Sequence, residues 1–157
     1  MYTGRESGPA EADLLSALAV CTLQQIRTTV GDMPGKKKQI LVVDDEPAWL
    51  KSVSHVLRRE GFQVKAVQSA TEALALLAKY RPDLIVSDLR MPDMNGFDLL
   101  DKIKHLPKMA STPVLFFSAI DDYHAKKVAQ DLGAIACLLK PYDEHDLYSV
   151  LKQYLPH

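Results

Sequence analysis

From Gln39 to Leu155 short apolar runs alternate with amphipathic stretches of helical period, and no other feature constrains the fold as strongly. Strands that alternate with helices join through right-handed crossovers. The product is a parallel sheet covered by helices on both faces. Strands in such a sheet are buried on both sides, so they read as continuous apolar runs rather than as alternating ones.

The runs Ile40–Val43, Phe62–Val67, Leu84–Ser87, Pro113–Phe117 and Ile135–Leu139 predict five strands. Pro47–Glu60 predicts the first helix, with Leu50, Val53, Val56 and Leu57 at helical spacing and Gly61 as its stop. Ser69-Ala70-Thr71-Glu72 is a capping-box pattern and opens a second helix, with Ala73, Leu76, Leu77 and Tyr80 turned inward. Phe97–Leu106 predicts a third, carrying Leu99, Leu100, Ile103 and Leu106. Asp121-Asp122 begins a fourth, where acids suit the helix dipole. Ala125, Val128, Ala129 and Leu132 are expected to face inward there, and Gly133 to end it. Asp143–Leu155 predicts the last helix, with Leu147, Val150, Leu151, Tyr154 and Leu155 on one stripe. No output domain is expected beyond it.

Residues 1–36 differ in character. The first 35 residues hold four of the seven glycines and no strand-like run. A helix over 10–30 is expected, with Leu14, Leu15, Leu18, Cys21 and Ile26 partly on one face, before Pro34-Gly35 breaks it. Two readings stand, a docking helix and a frayed appendage. Met33 followed by Pro-Gly-Lys-Lys-Lys also reads as a chain start. The apolar stretch Leu14–Cys21 is too short to span a bilayer, and acids lie where a signal peptide carries bases. With only two cysteines, Cys21 and Cys137, a reducing compartment is the simpler reading, so the cytoplasm is expected. A net charge of −1 supplies no field that would draw the chain to nucleic acid or anionic membrane.

Ligands of open parallel sheets gather beyond the carboxyl ends of the strands. The first strand delivers Asp44-Asp45 there, the third Asp88, the fourth Ser118 and the fifth Lys140-Pro141. Clustered carboxylates repel unless a cation joins them. Oxygen-only ligands select a hard ion such as Mg2+. A carboxylate can act as nucleophile and form an acyl phosphate. Metal, lysine and hydroxyl would then neutralise the phosphoryl oxygens. Neither a Gly-x-x-x-x-Gly-Lys loop nor a Gly-x-Gly-x-x-Gly motif is present, so the set does not predict nucleotide binding.

Four segments in order, Leu41-Val42-Val43-Asp44-Asp45-Glu46-Pro47, Asp88-Leu89-Arg90-Met91-Pro92-Asp93-Met94-Asn95-Gly96, Ser118-Ala119 and Lys140-Pro141-Tyr142, resemble the receiver domains of two-component response regulators. The resemblance covers residues 39 to 155. It implies a doubly wound, flavodoxin-like α/β fold with strand order 2-1-3-4-5, a receiver domain over 37–157, and kinship with single-domain chemotaxis regulators. It implies Asp88 as phosphoacceptor, Asp45 and Asp88 as direct Mg2+ ligands, Asp44 acting largely through water, and the Arg90 backbone carbonyl as a further ligand. Ser118 matches the switch hydroxyl. Lys140 matches the lysine that pairs first with the acceptor and then with the phosphoryl group, and its bond to Pro141 is expected to be cis. Gly96 is expected in a conformation other residues dislike.

The implied function is a stand-alone response regulator of a phosphorelay, with a histidine kinase or histidine phosphotransfer protein as donor and a downstream protein as target. It would catalyse part of its own phosphorylation and turn over no separate substrate. The competing reading is a phosphorylation-independent interaction module, against which the complete rim argues. A hydrolase using Asp88 ranks below both, because no general acid is evident beside it.

The chain departs from the family pattern where an aromatic usually precedes the lysine by three residues. Cys137 stands there, too small to swing as a ring does. Output is expected to bypass that coupling, with Tyr142 or Tyr123 responding, while Cys137 packs as a small apolar residue. Ile120 offers the acyl phosphate's water no hydrogen bond, so a long-lived phosphoryl group is expected. Trp49, one turn from Asp45, reads either as a half-buried packing residue or as an anchor for a docking kinase or phosphotransfer helix. The five histidines show no metal spacing and are expected at the surface, and Lys36-Lys37-Lys38 reads as a solvated lead into the first strand.

Overall fold

Each apolar run forms a strand: β1 Gln39–Val43, β2 Gln63–Val67, β3 Leu84–Asp88, β4 Val114–Ser118 and β5 Ala136–Leu139. Helices follow them as α1 Pro47–Arg59, α2 Ala70–Leu77, α3 Gly96–His105, α4 Tyr123–Asp131 and α5 Glu144–Tyr154. The computed structural model describes residues 35–119 and 121–155. The expected helix over 10–30 and the position of Ile120 lie outside these residues.

All strand pairs are parallel, in the order β2-β1-β3-β4-β5. The chain switches direction across the sheet between β1 and β3, which opens a crevice at their carboxyl ends. Ile40, Val42, Leu84, Val86, Leu115 and Phe117 face α1 and α5. Leu41, Val43, Ile85 and Phe116 face α2, α3 and Ala129 of α4. Fully burying one such side chain contributes about 1.5–3 kcal/mol.

Local chemistry sets the helix ends. Pro47 opens α1, where a missing N–H costs nothing, and Gly61 follows its end at φ +91°. The Ser69 side chain accepts from the Glu72 N–H at 3.1 Å, but Glu72 reaches back to the Gln68 N–H at 3.4 Å rather than to Ser69, so the box closes one residue early. Asp122 caps α4 by accepting from the His124 N–H at 2.8 Å.

Several inward assignments are corrected. Val128 is 42% exposed and Leu132 38%, and Ala129 is the buried residue of α4. Successive helical residues turn by about 100°, so Val128 flanks the stripe that Ala129 centres. Leu132 is the C-cap, past the last full turn. Tyr154 likewise flanks Leu147, Leu151 and Leu155 and is exposed. Helix α2 stops at Leu77, so Tyr80 packs from the following turn. Gly96 does not have positive φ. A Cβ there would lie 2.7 Å from the Asp88 carbonyl oxygen and 2.8 Å from the Phe116 ring, so close approach is what requires glycine.

Candidate functional site

The register puts the rim residues in one row. Val43 pairs with Ser87, Asp88 with Phe117, and Ser118 with Leu139. Asp44 and Asp88 therefore leave adjacent strands at the same level, with Ser118 and Lys140 each a step further along. Backbone bonds continue past the strands: Asp44 N–H to Val67 O at 3.2 Å, Leu89 N–H to Phe117 O at 3.1 Å, Lys140 N–H to Ser118 O at 2.7 Å. The Lys140–Pro141 bond is cis, as expected.

Side chains then converge. Carboxylate oxygens of Asp44, Asp45 and Asp88 lie within 4.8 Å of one another. Asp44 is buried, Asp88 half-buried and Asp45 exposed, so the cluster opens to solvent on one side. The Lys140 ammonium meets Asp44 at 2.7 Å and Asp88 at 3.7 Å. The expected pairing of Lys140 with Asp88 is present, and Asp44, which the sequence reading did not give as a partner of the lysine, is the nearer carboxylate. Burial pushes the Asp88 carboxyl above its ordinary pKa. Lys140 opposes that shift and the Asp44 charge adds to it. A second tie holds the Asp88 carboxylate, from the Arg90 N–H at 3.4 Å.

The loop after β3 is fixed at both ends. The Gly96 N–H donates to Leu89 O at 2.8 Å. Asp93, absent from the sequence reading as a site residue, accepts from the Thr71 N–H at 2.9 Å and the Thr71 hydroxyl at 2.8 Å. Desolvation works the other way, but these bonds hold its carboxyl below the ordinary range. Only the fold could reveal this link, since it joins residues 22 apart in sequence.

Ser118 is buried at the end of β4 and lines a cavity of about 370 Å³ with Arg90, Asn95, Phe97, His124 and Val128. Cys137 is half-buried against the same side of the sheet, and burial raises its thiol pKa, as for a packed apolar residue. Tyr142 lies on the opposite face, with Trp49 and Phe117. Tyr123, by contrast, is exposed at the start of α4. Trp49 packs edge-on against Phe117 at 5.7 Å and Tyr142 at 5.3 Å, and the Lys140 ammonium lies 4.8 Å from its ring centroid. His55, His105, His124 and His145 are exposed.

Residues 40–152 match the family model described as the response regulator receiver domain. The chain is 36% identical over 115 residues to an uncharacterized 14.6 kDa protein of Leptolyngbya boryana, covering 73% of this chain and 88% of that one. It is 29% identical over 119 residues to sporulation initiation phosphotransferase F of Bacillus subtilis, covering 76% and 94%. The chain spans about half the length of two further relatives, 56% and 53%. The chemotaxis protein CheY4 of Vibrio cholerae superposes with a TM-score of 0.72 at 31% identity, covering 76% of this chain and all of that one. The fold and these matches define a class, the flavodoxin-like signalling domains. Within that class the chain belongs to the response-regulator receiver family of two-component signalling.

Proposed function

We propose that Asp88 accepts a phosphoryl group from a phosphohistidine on a histidine kinase or phosphotransfer protein, in a Mg2+-dependent reaction, and that the loaded state switches binding of a downstream protein. The observation that carries this reading is the convergence of Asp44, Asp45 and Asp88 oxygens within 4.8 Å, with one ammonium on the same cluster.

The donor set fits Mg2+, being all oxygen, partly open to water, and excessively negative for one lysine to balance. Asp45 and Asp88 would hold the ion directly, Asp44 through water, and the Arg90 carbonyl would complete the protein ligands. Bound there, Mg2+ would neutralise the phosphoryl oxygens as charge spreads over them. An Asp88 carboxylate oxygen forms the new O–P bond while the donor's N–P bond breaks. The imidazole keeps that electron pair and takes a proton from solvent. Lys140 pairs with one phosphoryl oxygen and Ser118 donates to another. No separate substrate is turned over. The proposal puts this chemistry in the cytoplasm, the reducing compartment that two cysteines favour.

The test is intact mass after incubation with acetyl phosphate or phosphoramidate, with and without Mg2+, beside Asp88→Asn. The expected result is one added phosphoryl group, only with Mg2+ and only in the unmutated chain. A folded protein that neither gains it nor binds beryllofluoride would overturn the reading in favour of a phosphorylation-independent interaction module.

A further inference from the structure

Trp49 takes no part in the chemistry above, yet its ring borders it. The Lys140 ammonium lies 2.7 Å from Asp44, 3.7 Å from Asp88 and 4.8 Å from the Trp49 ring centroid. The ring is clamped: Phe117 and Tyr142 meet it edge-on at 79° and 84°, and those two rings lie 4.9 Å apart. The indole Nε1 is buried with no hydrogen-bond partner among the described residues. Burying an unpaired N–H is unfavourable, so hydrogen bonding does not suit tryptophan to this position. What the indole supplies beyond an aliphatic side chain is its face, the best cation acceptor among the aromatic rings.

We propose that Trp49 is a positioning residue for phosphoryl transfer: its ring face and Asp44 together hold the Lys140 ammonium beside Asp88 but not on it. The proposal rests on Asp88 being the acceptor. Lysine is a flexible stem ending in a point charge, and this one leaves an edge strand whose residues are all only half-buried. Without the ring, only carboxylates hold the ammonium. It can then close on Asp88, occupy the attacking oxygen and compete with the metal. With the ring, it is confined within a short movement of the incoming phosphoryl group, and the acceptor oxygen stays open.

The experiment compares the native chain with Trp49→Leu and Trp49→Phe in two measurements. One is the rate of phosphorylation by phosphoramidate at saturating Mg2+. The other is the proton shift of the lysine ε-methylene groups in the unphosphorylated protein, assigned through Lys140→Met. A ring face beneath the ammonium moves the Lys140 ε-methylene signal upfield. Trp49→Leu is expected to lose that shift and to slow phosphorylation roughly three- to tenfold. Trp49→Phe is expected to keep part of the shift and to stay within about twofold of the native rate. An unshifted Lys140 signal in the native chain overturns the proposal. So does a Trp49→Phe rate as low as that of Trp49→Leu, because packing and not the ring face would then be at work. Shifted signals without phosphorylation of the native chain would sink the acceptor reading and this role with it. Equal native and Trp49→Leu rates would sink this role alone.

Discussion

Asp44 and Lys140 form one ion pair, but they come from regions held in opposite ways. Asp44 leaves β1, flanked by two strands, with Ile40, Leu41, Val42 and Val43 all buried. Lys140 leaves β5, an edge strand with every residue half-buried, covered on one side by α4, where Ala129 is the buried residue. The carboxylates therefore stand on buried inner strands and the lysine on a half-buried edge strand. Under the proposed function, metal ligands that stay fixed and a cation that follows a new phosphoryl group would suit that division. Burial density sets the cost of local displacement, and it is low along β5.

The largest test of this contrast removes the link itself. Lys140→Met leaves Asp44, 2% exposed, without its cation. A loss of about 3–5 kcal/mol in metal-free denaturant titration is expected, as for a broken buried pair. Mg2+ should restore part of it, because a ligand that binds only the folded state stabilises it. A loss no larger than that of a surface substitution would mean the pair does not bridge centre and edge.

Core truncations sharpen the same contrast. Ile85→Ala in β3 should cost about 3–4 kcal/mol, and Leu138→Ala in β5 about 1 kcal/mol. Equal costs would break it.

A smaller effect of known sign is expected at Asp88. Burial raises the Asp88 pKa in the folded protein, so the native state binds its proton more readily than the unfolded chain does. Stability then falls as pH rises through the interval between the ordinary aspartate value and the raised one. Asp88→Asn should therefore raise Tm by a few degrees at pH 7 in metal-free buffer. The gain should vanish once the pH falls below the ordinary aspartate range, as paired melts across pH 3–7 would show. A gain independent of pH would point to packing instead of charge.

The smallest effect belongs to the edge. Val128→Thr should change stability by no more than about 0.5 kcal/mol, because the side chain is already exposed. A larger loss would show α4 to be held more tightly than its burial implies.

Much of this was legible in the sequence. The period of the apolar residues gave the element types, because a doubly covered strand and an amphipathic helix bury different patterns. The residues after each run identified the rim, because parallel strands must all end on the same side. The sequence reading of Val128, Leu132 and Tyr154 failed because periodicity selects a wide stripe, while the shape of the neighbouring strand decides how much of it is covered. The reading of Gly96 found the right residue for the wrong reason. Its need for glycine comes from Asp88 and Phe116, 8 and 20 positions away, whose approach no local pattern encodes.

The sequence by itself determined the strand and helix types, the acidic and basic residues at the strand ends, and through them the receiver family. The tertiary structure alone decided that Lys140 meets Asp44 before Asp88, that Asp93 binds Thr71, that Tyr142 and Cys137 lie on opposite faces, and that the Trp49 ring lies beside the ammonium. The physical reason is the same in each case. Period and composition are local, but the partner of a charged or aromatic side chain is set by strand order and register, which join residues as far apart as 44 and 140.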